Sequence, residues 1–533
     1  MKNISRQLFR VKDLNSILSE AHDPSRKLKK ALGPFDLILF GIGAIVGAGI
    51  FTSLGTAVAG DSIRPGAGPA IMLSFVITAI ACGFSALCYA ELAALVPISG
   101  SAYTYSYAAF GELIAWIIGW DLIIEYSIAN VAVALSWSSY FVELLRGLGI
   151  HLPVWSTIDF RSAMQGFHKA SELISSGQTF EQLEPYLQHT WTAVQGAPHI
   201  FGIPIICNLP ASFIIIALTV ILVIGIKESA RFNAIMVIFK LLVLGLFVVI
   251  GIYYIKPHNW VPFAPNGFAG IRAGAAVVFF AYLGFDAVST VAEETRNPKR
   301  DLPIGIIGSL IACTIIYVIV AIVFTGMVPY SLLNTTFADQ KAEPLTVAMK
   351  YVNINWAAGI IAFGAVVANT AVLLVSQLGQ ARIFFAMSRD GLIPAVFSRV
   401  HPRFKTPHIN TIIIGAFVAF FAAFTNIDEM VDLTNIGTLF AFILVCIGVI
   451  ILRIKDPHRP RGFKVPFNPL LPLLGVVACI FLMTGLSPIT WVRFFLWLIV
   501  GLIIYFAYSY RHSLLHHKTH HHQDKNKPDA HSV

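Results

Sequence analysis

Gly41-Ile-Gly-Ala-Ile-Val-Gly-Ala-Gly-Ile50 interrupts the first long apolar run of the chain, and Phe279-Phe-Ala-Tyr-Leu-Gly-Phe-Asp286 interrupts another one roughly half the chain further on. Glycine is costly inside a helix and cheap where the backbone must leave helical geometry. A helix broken halfway across a bilayer exposes backbone N–H and C=O groups that lipid cannot satisfy. Such breaks persist only where they face protein, water or a polar ligand. The two stretches therefore predict a pair of broken helices and mark where a small polar solute would sit.

The rest of the chain agrees with a membrane setting. It is 56% hydrophobic and 12% charged over 533 residues, with a mean hydropathy of +0.75, which is too apolar for a water-soluble globule. Runs near the length that crosses a bilayer number about twelve, at roughly 35–58, 70–95, 107–141, 209–226, 231–255, 272–292, 303–328, 355–386, 410–425, 431–452, 469–486 and 489–509. The third and eighth exceed one bilayer thickness, so they are expected to tilt or to project into water.

The net charge of +9 describes topology and not nucleic-acid binding. With the N-terminus inside, most Lys and Arg fall in the tails and inward loops. They include Arg26, Lys27, Lys29 and Lys30 before the first run, Arg296, Lys299 and Arg300 after the sixth, and Arg453, Lys455, Arg459, Arg461 and Lys464 after the tenth. The positive-inside rule then puts both termini in the cytoplasm. A basic stretch of about 33 residues precedes the first full-length run, which argues against a cleavable signal peptide. Cys82, Cys88, Cys207, Cys313, Cys446 and Cys479 lie in or beside apolar runs without metal or disulfide spacing, and read as small packing residues. No metal-ligand cluster, nucleophile arrangement or phosphate loop stands out, so neither an enzyme nor a cofactor is expected.

The expected organisation is a basic tail (1–33), a twelve-span membrane domain (34–510) and a histidine-rich tail (511–533). Within the domain, a first repeat at about 34–255 and a second at about 270–452 each read as one broken helix followed by four continuous ones. Two appended spans follow at about 469–509. The fold class is thus an all-α integral membrane protein with a LeuT-like 5+5 inverted repeat. The repeat rests on hydropathy and matching breaks alone. An external insertion at about 142–208 carries two candidate amphipathic helices, at 163–174 and 180–187. It reads as surface decoration in preference to a lid or partner platform, and the His516–His522 region as a polar tail in preference to a metal site.

An ordered series of motifs resembles the amino acid-polyamine-organocation permeases, and within them the cationic amino acid transporters. The series is Gly41 to Phe51; Tyr89-Ala-Glu-Leu92 with Pro97-Ile-Ser-Gly-Ser-Ala-Tyr103; Gly119-Trp-Asp-Leu-Ile-Ile-Glu-Tyr126; Gly225-Ile-Lys-Glu-Ser229; Phe279 to Asp286 with Glu293-Glu-Thr-Arg-Asn-Pro298; and Met387-Ser-Arg-Asp-Gly391. The match covers most of residues 30 to 510. It implies secondary active transport of amino acids in a plasma membrane, with both the lipid bilayer and an amino acid as partners. The insertion departs from many bacterial members. Nothing identifies an accessory subunit, although Cys207 sits near the outer face.

A zwitterionic substrate needs donors for its carboxylate and acceptors for its ammonium. The N-terminal end of the outer half of the first span offers free N–H groups and a positive dipole end, at Gly47, Ala48 and Gly49. By the family pattern, the acceptors are carbonyls at Ile45, with Val46 beside it, and at Phe280, Ala281 and Leu283. Ser376 is a candidate for the side-chain pocket, where a small hydroxyl leaves room for longer side chains. Glu125 and Asp286 are carboxylates in apolar segments, where ionised groups are expensive. Attraction of a cationic head, proton carriage and bracing of helices all stay open for them. Glu91, near the inner end of the second span, reads as structural or as part of an inner gate. Glu293, Glu294, Arg296, Lys299 and Arg300 read as an inner-surface charge network.

Lys240 stands about one-third into an apolar span. Its two readings are a snorkelling lysine with its head at the interface and a proton-exchanging group. The resemblance favours the second, since a lysine at this place stands where sodium-coupled relatives hold sodium. The implied mechanism is proton symport, with protonated Lys240 bridging to carbonyls of the first span. Exchange of one amino acid or polyamine for another is the main rival. A channel and a nutrient sensor are lesser ones.

Overall fold

The computed structural model describes residues 8, 10–11, 32–61, 64–97, 101–224, 230–334, 342–404 and 406–514. The basic cluster Arg26 to Lys30, the motif Gly225 to Ser229, residues 98–100 and the histidine-rich tail lie outside them. The apolar runs form helices because, in lipid, the backbone must pair within its own segment. Among the described residues, eight helices are long and apolar enough to cross a membrane, which makes the chain a multi-pass helical membrane protein.

The first run divides into α1 (Pro34–Ile45) and α2 (Leu54–Ala59), joined by a π-helical turn at Gly49–Ser53, with a bend of 42°. Pro34 opens α1 where its missing N–H costs nothing, and Asp36 Oδ2 accepts from Gly33 N at 2.9 Å. Next come α3 (Ile71–Leu95), α4 (Ser101–Ala109) and α5 (Glu112–Gly147). The run expected at 107–141 is therefore two elements. Gly111, with a φ of +101°, turns the chain between α4 and α5 in a conformation that side chains resist.

The insertion folds as α6 (Phe160–Ser175), α7 (Pro185–Gly196) and a hairpin of β1 (His199–Ile200) with β2 (Ile203–Pro204). The helix expected at 163–174 lies within α6. The one expected at 180–187 is displaced: residues 180–182 make a single 3-10 turn, and α7 starts at Pro185, which is pre-set for a first helical position.

The remaining helices are α8 (Leu209–Ile224), α9 (Ala230–Ile252), α10 (Gly267–Val278), α11 (Pro298–Met327), α12 (Pro344–Tyr351), α13 (Asn355–Arg389), α14 (His408–Phe424), α15 (Ile427–Lys455), α16 (Leu470–Met483) and α17 (Pro488–Ile504). After α10 the backbone tightens to 3-10 at Phe279–Tyr282, becomes extended at Leu283, passes Gly284 at φ +116° and resumes as 3-10 at Asp286–Glu294.

Packing places the breaks at the centre. Helix α11 lies against α1 and α3; α5 lies against α13 and α15; α9 lies against α1 and α13; α8 lies against α14. Apolar side chains that remain exposed, such as Phe213 and Ile216 on α8 and Phe417 and Phe420 on α14, face outward as lipid contact requires. At the end of α3, Glu91 is clamped by Arg453 (Nε to Oε1, 2.9 Å), Arg461 (3.1 Å) and the Val465 N–H (2.7 Å). That is a structural lock between α3, α15 and the loop after α15. The charge network expected around Glu294 does not form among the described side chains: Glu294, Arg296, Lys299 and Arg300 make no ion pair with one another, and the backbone bonds from Leu32 to Glu294 and from Arg296 to Leu32 are what join this turn to the start of α1. The Glu293 side chain lies outside the described residues.

Candidate functional site

The two breaks press against each other and open a cavity beside them. A methyl group at Gly49 would collide with the Ala281 backbone, and one at Gly284 would lie 2.8 Å from both C and O of Ala44. Only glycine permits this approach, and Gly284 is also held at positive φ. The cavity is lined from the first break by Ala44, Ile45, Gly47, Ala48 and Gly49, and from the second by Phe280, Leu283, Gly284, Asp286, Ala287 and Thr290. Helix α5 adds Glu125, Tyr126, Ala129 and Val133, and α13 adds Val372, Val375, Ser376 and Gly379.

Of the residues singled out from sequence, Ile45, Gly47, Ala48, Gly49, Phe280, Leu283, Ser376, Glu125 and Asp286 meet around this one cavity. Val46 and Ala281 stand behind its wall. The Val46 carbonyl turns away to accept from Lys240, and Ala281 is buried against Gly49. The Ile45 carbonyl, expected as a free acceptor, already receives the Tyr317 hydroxyl at 3.1 Å. Sequence reasoning missed Ala44, Gly284, Ala287 and Thr290 at the breaks, Tyr126, Ala129 and Val133 on α5, and Val372, Val375 and Gly379 on α13. Helical spacing was the available signal, since Val372, Ser376 and Gly379, like Glu125, Ala129 and Val133, recur on one helix face.

Lys240 is fully buried on α9, and its Nζ donates to the Gly43 carbonyl at 2.6 Å and the Val46 carbonyl at 2.7 Å. This geometry excludes the snorkelling reading, in which the ammonium would reach an interface. The last carbonyls of a helix have no intrahelical partner and carry its negative dipole end, so an ammonium there caps α1 at its break. The lysine lies outside the cavity wall and holds that wall from behind.

The carboxylates differ in their support. Asp286 opens the 3-10 segment after the second break, so it stands in that segment's first turn, where free N–H groups favour negative charge. Glu125 lies near Asp286, Asp121 and the Thr438 hydroxyl, and its Oε2 has no hydrogen-bond partner. An unpaired buried acceptor is costly, so Glu125 is the group in the lining best placed to receive a donor.

The outer half of the broken span is tied to its surroundings by side chains. Thr52 shares a 2.5 Å hydrogen bond with Ser136, the Tyr140 hydroxyl donates to the Phe51 carbonyl, and Thr56 donates to Asp428 at 3.1 Å. Arg64, on the loop after α2, bridges Asp61 and Asp432, each at 2.6 Å. Its guanidinium is held even more firmly protonated than usual: burial opposes this, and the facing Asp432 and Asp61 outweigh it. Among the described residues no group of three His, Cys, Asp or Glu is arranged to hold a metal ion.

The fold and site together define a multi-pass helical membrane protein built around a small central cavity between two broken helices. The chain belongs to the amino acid permease family, whose sequence model matches residues 32–507, and so to the amino acid-polyamine-organocation superfamily. It is 47% identical over 508 residues to the branched-chain amino acid permease BcaP of Bacillus subtilis, covering 95% of this chain and 99% of that one. It is 43% identical over 508 residues, with the same coverage, to the methylthioribose transporter of Bacillus subtilis. Against the vacuolar cationic amino acid transporter 4 of Arabidopsis thaliana it is 36% identical over 456 residues, 84% of this chain and 68% of the relative.

Proposed function

We propose that this chain is a secondary active transporter that carries amino acids, small neutral or cationic, by alternating access and proton symport. The observation that carries the reading is the Lys240 ammonium on the carbonyls of Gly43 and Val46, where α1 ends at the cavity. Protonated, Lys240 holds the inner half of the broken span; deprotonated, it loses a donor and the charge that favours the dipole end, and the half-helix is released. The cavity wall moves with it, because Ile45 and Gly47 flank the bonded Val46.

The substrate carboxylate sits at the first-turn N–H groups of Gly47 to Gly49, and its ammonium at the carbonyls of the second break, with Glu125 adding attraction. Ser376 and Gly379 leave room for the side chain. The name of the methylthioribose relative is a reminder that this scaffold is not confined to zwitterions, so the wall residues set the choice.

A twelve-span, LeuT-like inverted repeat supports alternating access here. The broken pair, the eight long helices and the shorter apolar helices α8, α14 and α16 supply the segments. The packing supports the repeat independently. Pairing α1–α2 with α10 and its 3-10 extension, α3 with α11, α5 with α13, α8 with α14 and α9 with α15 maps most of the larger contacts onto contacts that are also made. The α1–α11 contact becomes α10–α3, α5–α15 becomes α13–α9, and α5–α14 becomes α13–α8, and each of these contacts is made. On this reading the repeats span about 34–255 and 270–452, α16 and α17 are appended, and both termini are cytoplasmic in a plasma membrane.

The test is uptake of labelled alanine, leucine and arginine into proteoliposomes with and without an inward proton gradient, for the native protein and Lys240→Ala. Gradient-driven accumulation that the variant loses is the expected result. Accumulation that needs internal amino acid and ignores the gradient would overturn symport in favour of exchange.

A further inference from the structure

The hairpin of the insertion has an unusual tip. His199 pairs with Pro204 and Ile200 with Ile203, so Phe201 and Gly202 form a two-residue turn, with φ of +52° and +80°. A turn with positive φ at both positions selects Asn-Gly or Gly-Gly, and a bulky aromatic at its first position works against the backbone. Phe201 holds that conformation while its side chain touches almost nothing: it is 101% exposed, flanked by Ile200 at 56% and Ile203 at 62%. Nothing among the described residues repays this arrangement, which leaves the tip free for an external partner.

The position identifies the partner. Ile203 precedes the first residue of α8, Leu209, by only six positions, and the Asn208 N–H donates to the Ala423 carbonyl at the end of α14. The hairpin therefore hangs at the ends of two lipid-facing helices. On these helices Leu209, Phe213 and Phe424 are exposed apolar residues as well. No Asp, Glu, Lys or Arg occurs between Glu184 and Lys227, so the hairpin enters an apolar boundary without carrying a formal charge, apart from the titratable His199.

We propose that the 199–204 hairpin is an interfacial anchor: Phe201, Ile200 and Ile203 insert into the headgroup–acyl boundary of the leaflet on the insertion's side. An apolar tip with an aromatic side chain at its turn suits that boundary, where aromatic side chains concentrate. The anchor holds the α6–α7 unit down against the membrane. That unit also grips the start of α15 through Arg161 on Glu429 at 2.5 Å and Asn426 on Ser162 at 2.9 Å.

The experiment is nitroxide labelling of Phe201→Cys and Ile203→Cys in proteoliposomes, with Lys169→Cys on the exposed face of α6 as the water-side reference. The six native cysteines are buried and leave the background low. Power saturation compares collisions with oxygen, which concentrates in lipid, and with a water-soluble nickel chelate. The expected result is an oxygen-to-nickel ratio several-fold higher at positions 201 and 203 than at 169. Equal ratios at all three sites would place the tip in water and overturn the anchor. Shielding of 201 and 203 from both reagents would overturn it in favour of a protein partner. Two tip positions are used so that relief of the Phe201 backbone by substitution cannot by itself decide the outcome.

Discussion

Gly284 and Lys240 show how single residues hold the site. At Gly284 the backbone needs both a positive φ and room for Ala44, so Gly284→Ala meets a conformational cost of about 1–3 kcal/mol and a steric one as well. The expected outcome is a lowered melting temperature in detergent and uptake reduced by at least about tenfold, a change that 1.4 kcal/mol at the transition state would produce. Unchanged melting and uptake would show that the second break does not depend on this geometry. Lys240→Met removes the donor to the Gly43 and Val46 carbonyls and leaves both buried, at about 1–3 kcal/mol for each acceptor left unsatisfied. Thermal unfolding of Lys240→Met beside Lys240→Arg checks this, with partial retention expected for the arginine because it keeps the charge. The glycine breaks and the lysine were legible in the sequence, since each is out of place in an apolar helix. The turning away of the Val46 carbonyl and the occupation of the Ile45 carbonyl by Tyr317 were not, because both depend on which helices α1 meets.

Between elements, the strength of a link follows its burial. The Glu91 clamp joins α3 to α15 with the Glu91 side chain 2% exposed and the Arg461 side chain 3% exposed. Glu91→Ala strands a buried guanidinium, so a loss of about 3–5 kcal/mol is expected. The Arg161–Glu429 pair between the insertion and α15 is 53% and 31% exposed at its two side chains, and solvent screening limits it to about 1 kcal/mol or less. Comparing Glu91→Ala with Arg161→Ala by chemical denaturation should therefore separate the two strongly; equal effects would contradict the burial argument. The helix starts show which local features the sequence carries. Pro34 and Pro185 open α1 and α7 at the chain positions where proline is tolerated. The division of the third run at Gly111 was missed because hydropathy continues across it, and hydropathy carries no information about φ.

At the scale of the whole molecule, the proposed topology puts the insertion and the loop after α15 on opposite sides of the membrane. Lys169→Cys and Lys464→Cys are both in exposed positions. In intact cells, a membrane-impermeant maleimide is expected to label position 169 at once and position 464 only after permeabilisation. Labelling of both without permeabilisation would break the span count. Membrane residence, the number of apolar runs and the two break points were determined by the sequence itself, because lipid imposes length, apolarity and internal backbone pairing on each segment separately. Nine of the eleven lining residues proposed from sequence share one cavity for the same reason: they lie at the breaks or on apolar helices that must pack around them. The tertiary structure alone decided that Val372 and Tyr126 close the cavity, that Lys240 reaches α1 and not the interface, and that a strained Phe201 crowns the hairpin. Those facts depend on distances between segments far apart in the chain and on backbone torsions, and neither is written in the local pattern of apolar and polar residues.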